Sequence, residues 1–123
     1  MPVSPPYDIL ELRAEGELVT RVTAFEEGPV TVTPRDGRPP KVVQAVRLYV
    51  PPEDKQTAPD YWDVTAQSLK PNLRALLPIA VQQKRWLKLH KYGDGPGARF
   101  AVELLAADYS GGPKADTKNS AGP

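Results

Sequence analysis

Two stretches of the chain alternate apolar and polar residues with a period of two, the spacing at which a strand turns successive side chains to opposite faces. Between Lys41 and Val50, the residues Val42, Gln44, Val46, Leu48 and Val50 form a mostly apolar face, and Val43, Ala45, Arg47 and Tyr49 form the other. Between Lys84 and Tyr92, Leu87 and Leu89 point one way, while Trp86, Lys88, His90 and Tyr92 point the other. Three weaker runs also read as strands. Glu15–Glu26 is β-rich, is interrupted at Glu27-Gly28-Pro29, and resumes as Val30–Thr33 in a bulged or kinked continuation. Tyr61–Thr65 returns along the sheet, and Arg99–Leu105 sets Phe100, Val102 and Leu104 on a single face.

One segment has helical rather than strand spacing. Leu69, Leu73, Leu76 and Leu77 recur at intervals of three and four, with Pro71 in the first turn and Pro78 as the expected stop. The turns are Pro34–Pro40, with Asp36-Gly37 as its strongest signal, the polar loop Pro51–Asp60, and Gly93–Gly97. The order is a long kinked strand, two strands, a short helix and two strands. This is the plan of an OB-fold, a partly open Greek-key barrel of five strands with one short helix between strands three and four. A β-sandwich wants more strands, and a ferredoxin-like fold wants two substantial helices. The expected organisation is an N-terminal arm over 1–14, the OB domain over 15–107 and a disordered tail over 108–123.

Composition narrows the class. A chain of 123 residues with 40% hydrophobic and 25% charged positions can bury one core. It has no cysteine, which excludes a disulfide scaffold and a thiolate metal site. Met1–Pro6 lacks the charged start and apolar block of a signal peptide, and no long apolar run is present, so the cytoplasm is the expected compartment. The net charge of +1 conceals segregation: residues 28–50 sum to +3 and 70–99 to +6, against acidic segments between and around them. Such asymmetry points toward anionic partners.

Val30-Thr31-Val32-Thr33-Pro34-Arg35-Asp36-Gly37, running into Val42–Val50, resembles bacterial-type single-stranded-DNA-binding proteins. In that family a strand ending in Thr-Pro-x-Gly turns into an alternating apolar strand. Tyr61-Trp62-Asp63-Val64-Thr65-Ala66 and the helix after it resemble the family's aromatic-x-Asp-Val-x-Ala strand and its helix. The likeness spans residues 16–105. Two passages depart from the family: the chain ends Lys118–Pro123 without an acidic tip and terminal Phe, and Pro78–Gln83 stands where a Lys-Gly turn is usual. The resemblance implies an OB-fold and sequence-tolerant binding of unpaired DNA in replication, recombination or repair, and the missing tip argues against a hub role.

The residues lead the same way independently. Rings interleaved with cations suit a groove in which bases stack and phosphates are neutralised. The candidate track comprises Arg35, Arg38 and Lys41 in the first basic loop, and Arg47, Tyr49 and Trp62 on the central strands. Trp86, Lys88, His90, Tyr92 and Arg99 on the last two strands complete it. Tyr61 and Trp62 face opposite ways, so one joins the track and the other enters the core; periodicity does not say which. For each ring, core packing competes with base contact, and for each cation, simple solvation competes with a phosphate. One histidine, no cysteine and no phosphate-loop pattern argue against an enzyme. Glu53, Asp54 and Asp60 could hold a hard cation, but a solvated acidic loop is the simpler reading, and no metal, cofactor or small-molecule substrate is expected. The expected partners are single-stranded DNA, with RNA left open, and further copies of the chain in a homo-oligomer, without membrane association. The alternative is an OB-type protein-interaction or assembly module that binds no nucleic acid.

Overall fold

In the computed structural model, which describes residues 7–33, 37–55 and 59–117, the first β-rich run is divided between two sheets. Strands β1 (Glu17–Arg21) and β2 (Ala24–Val32) are separated only by Val22 and Thr23. β2 pairs antiparallel with β3 (Lys41–Tyr49), and β3 with β4 (Tyr61–Val64). β1 pairs on one side with β5 (Trp86–Tyr92), which carries β6 (Arg99–Leu104), and on the other with the short β7 (Lys114–Ala115). Helix α1 (Lys70–Gln83) lies between β4 and β5 in sequence. The fold is mainly β with one helix, as expected. Among the described residues, seven strands in two antiparallel sheets stand in place of the expected five, and no ladder joins β4 to β6 to close a barrel.

The kink falls earlier than the sequence suggests. Expected at Glu27-Gly28-Pro29, it lies at Val22–Thr23, where Val22 is buried and Thr23 donates its N–H to the Tyr49 carbonyl at 2.8 Å. Anchoring at the end of β3 turns the chain from one sheet into the other. β2 then runs straight through Gly28 and Pro29, because it is an edge strand whose second side needs no ladder. The helix likewise outruns its predicted stop. Pro78 lies inside α1 on the exposed side, while Leu73, Leu77 and Ala80 form a buried stripe. Burial of that stripe outweighs the cost of about 3 kcal/mol that an interior proline imposes. Lys84 closes the helix in the left-handed conformation, with φ 55° and ψ 42°.

The core joins both sheets to the helix: Leu18, Leu87 and Leu89 from one, Val46, Leu48, Trp62 and Val64 from the other, and Leu69, Leu73 and Leu77 beneath. The faces assigned by alternation in β3 and β5 are those observed. The two chain ends differ from expectation. Asp8 and Leu10 exchange backbone hydrogen bonds of 2.8 Å with Asp63, so the segment lies parallel along the free edge of β4. Tyr7 and Ile9 cover Val30 and Ala45 on the outer side of that sheet. Leu12 is buried and bridges to Thr117, and β7 pairs with Leu18 and Val19, so residues 114–117 are tied into the fold instead of forming a tail. Of the arm expected over 1–14 and the tail expected over 108–123, residues 1–6 and 118–123 lie outside the described residues.

Beneath the N-terminal segment, β3 and β4 bring Arg47 opposite Asp63. Arg47 Nε donates to Asp63 Oδ1 at 2.7 Å and Nη2 to Oδ2 at 3.2 Å, and the guanidinium lies 3.8 Å from the centre of the Tyr61 ring. Both members are buried, Arg47 at 2% and Asp63 at 0% exposure. Burial alone would lower the Arg47 pKa; the hydrogen bonds to Asp63 and its negative charge reverse this and raise it above the ordinary arginine value. Removing one partner strands a buried charge. Asp63→Ala should therefore cost about 3–5 kcal/mol in denaturant unfolding. Replacing Arg47 and Asp63 together by apolar residues of similar volume should cost distinctly less.

Candidate functional site

The outward row of β5 lies on the four-stranded sheet, where register sets its neighbours. Trp86 stands opposite Arg21, Lys88 opposite Val19 and Glu103, His90 opposite Glu17 and Ala101, and Tyr92 opposite Arg99. Rings and charges are thus interleaved across three strands. The Arg21 guanidinium lies 4.8 Å from the centre of the Trp86 ring, and Tyr109 packs edge-on against the same indole at 5.5 Å. The His90 and Tyr92 rings are 4.2 Å apart. Tyr92 is 52% exposed, the most accessible ring of the row, and faces Arg99 beside the Gly93–Gly97 loop.

Acids from the same sheet answer most of the cations. Lys88 Nζ lies 2.9 Å from Glu17 Oε2 and 3.5 Å from Glu103. His90 Nδ1 is 3.1 Å from Glu17 Oε2; a carboxylate only accepts, so Nδ1 carries the proton. Lys114 Nζ donates to Glu17 Oε1 at 3.2 Å. The hydrogen bond from Lys88, with those of His90 and Lys114, outweighs burial and holds the Glu17 pKa at about 2, below its ordinary 4.5. Glu17 in turn raises the pKa values of Lys88 and Lys114. Arg21 is similarly engaged: its Nη2 meets Asp54 Oδ1 at 2.7 Å and Glu53 at 3.2 Å. Burial would raise the Asp54 pKa, but the Arg21 bonds prevail and lower it. The loop acids read as a possible cation site are thus partly spent on arginine, and the described residues contain no group of three or more metal-ligating side chains.

The proposed track divides. Trp86, Lys88, His90, Tyr92 and Arg99 share one outer face. Arg47 is a buried partner of Asp63 beneath Tyr61 and the N-terminal segment, so it is not a surface cation. Tyr49 lies on the outer face of the other sheet, with its hydroxyl donated to Glu26 at 2.6 Å and its ring edge-on to Tyr61. Trp62, at 5% exposure, is a core residue under Lys55, whose ammonium sits 4.5 Å from the ring centre. The strand alternation forced one of the pair inward, and it is Trp62; Tyr61 joins Arg47 and Tyr49. Arg38 and Lys41 are exposed at the β2–β3 hairpin, and Arg35 lies outside the described residues. Three residues of the site, Glu17, Arg21 and Tyr109, lie outside the track that the sequence predicts. Arg21 and Glu17 were visible as alternating neighbours on the first strand, whereas nothing in the sequence near Tyr109 marks it.

The Glu17 cluster has a pH signature. A carboxyl whose pKa is lower in the folded than in the unfolded chain adds stability that is present above pH 4.5 and is lost as pH falls toward 2. Thermal unfolding between pH 6 and pH 2.5 should thus show a smaller drop in Tm for Glu17→Gln than for the wild-type chain. Comparison of the chain with protein-family models, curated proteins and solved structures gave no match, so the site stands on its own geometry.

Proposed function

We propose that the chain is a non-enzymatic single-stranded nucleic-acid-binding protein whose contact surface is the outer face of β5 and its neighbours. The carrying observation is Tyr92: an exposed ring, set against His90 and opposite the exposed Arg99, beside a glycine-rich loop. A flat ring beside an uncommitted guanidinium offers an unpaired base a stacking surface and its phosphate a counter-charge, without reading sequence. Among the described residues Arg99 forms no ion pair, unlike Lys88. Trp86, capped by Arg21 and Tyr109, extends the aromatic row. DNA is the expected strand, in replication, recombination or repair, and RNA is an outcome of the same test.

The strand pairing supports a partly open OB-type barrel as the scaffold. The β1–β2 run serves both sheets, β3 and β4 follow on one side, β5 and β6 on the other, and the helix precedes β5. In such barrels the loop between the fourth and fifth barrel strands, here the β5–β6 loop Gly93–Ala98, flanks the bound strand.

One observation favours the protein-interaction reading. Glu17 and Glu103 compensate Lys88, and Glu15 and Glu17 lie against His90, leaving the face less positive than its own strand suggests. Fluorescence anisotropy with a labelled mixed-sequence oligonucleotide separates the two. Single strands should bind more tightly than the duplex, and affinity should fall between 50 and 300 mM salt. Tyr92→Ala should weaken binding by about 1–3 kcal/mol without moving Tm. No binding at low salt would replace this reading by an interaction module.

A further inference from the structure

Beside the β5 row, the segment 105–113 folds over the outer face of β1 and leaves an open hollow of about 310 Å³. Val19, buried although it points outward, forms part of its lining, and Tyr109, Lys88, Lys114, Glu17 and Pro113 surround it. The ring of Tyr109 is held in place twice: its hydroxyl donates to the Gly112 carbonyl at 2.9 Å, and its edge rests on Trp86. Gly111 makes room for it, since a methyl group there would lie 2.5 Å from the Tyr109 hydroxyl oxygen. The loop is thus shaped around an aromatic wall.

The charges restrict what can enter. A bare anion meets the Glu17 carboxylate, and a bare cation meets two ammonium groups. Glu17 Oε2 already accepts from Lys88 and His90, while among the described residues Oε1 accepts only from Lys114. A carboxylate oxygen has two lone pairs, so one acceptor position on Oε1 remains open. The hollow therefore suits a ligand with a flat body, a hydrogen-bond donor and an attached negative group. We infer that it takes one amino-bearing base of the bound strand, cytosine first, with the exocyclic amine on Glu17 and the adjoining phosphate toward Lys88 and Lys114. A carboxylate accepting from the cytosine amine is an established base contact, and thymine offers a carbonyl at the same place. A hollow of this size lies at the lower limit for small-molecule sites, which suits a single nucleotide.

This inference rests on the proposed function and adds a base preference to it. Isothermal titration of the full chain with oligo-dC and oligo-dT of equal length at low salt tests it. The wild-type chain should bind oligo-dC at least about fivefold more tightly. Gly111→Ala, which displaces the Tyr109 ring without changing charge, should bring the oligo-dC affinity down toward the oligo-dT value, with far-UV circular dichroism checking that the variant is folded. Equal affinity of the wild-type chain for both strands would overturn the base site and leave strand binding intact. A preference for oligo-dC that survives in a folded Gly111→Ala variant would overturn it too, placing the selectivity elsewhere. Binding of neither strand would remove the base site together with the reading on which it rests.

Discussion

The chain from Glu17 to Val32 must hydrogen-bond into two sheets, and the rest of the architecture follows from that demand. Val22 is drawn into the core at the crossing, and Thr23 is pinned to the end of β3, so the change of sheet costs only two residues of ladder. Because β1 then lies between β5 and β7, its outward residues Glu17, Val19 and Arg21 become neighbours of Lys88, His90 and Trp86. The acids of the N-terminal third and the cations near residue 90, distant in sequence, meet on one face. The segregation of charge along the chain is thereby largely cancelled in space.

That cancellation sharpens the chemistry. A uniformly positive face would attract any polyanion, with an affinity governed by salt. Here Glu17 fixes the positions of Lys88, His90 and Lys114, while Arg99 and the Tyr92 ring remain available at the edge. Beyond the stability it adds above pH 4.5, such a network orients the side chains it joins. On the opposite sheet the buried Arg47–Asp63 pair has a different role. It lies under Tyr61 and the N-terminal segment, and it holds a strand edge and a chain end together.

Periodicity made the inward and outward faces of β3 and β5 legible, because each strand has one face in a continuous core. It assigned Leu87 and Leu89 correctly and left Trp86, Lys88, His90 and Tyr92 outside. It failed where the outer face of a sheet is itself covered. Arg47 alternates like a surface residue, yet Tyr61 covers its guanidinium, and Tyr7 and Ile9, far away in sequence, pack on that face of the sheet. Local rules end a helix at Pro78 and break a strand at Pro29, and in each case the surroundings override them: a buried leucine stripe for one, a sheet edge for the other. Residues 114–117 carry little apolar character and are held by main-chain bonds to β1 and Arg13, which composition cannot register.

Amide chemical-shift mapping of the labelled full chain with a short single-stranded oligonucleotide asks the central question most directly. The account predicts that the largest shifts fall on Trp86–Tyr92, Gly93–Arg99 and the facing residues of β1, with β2 and α1 unmoved. Shifts concentrated on the edge of β2, or none at an oligonucleotide concentration that saturates other single-strand binders, would contradict it.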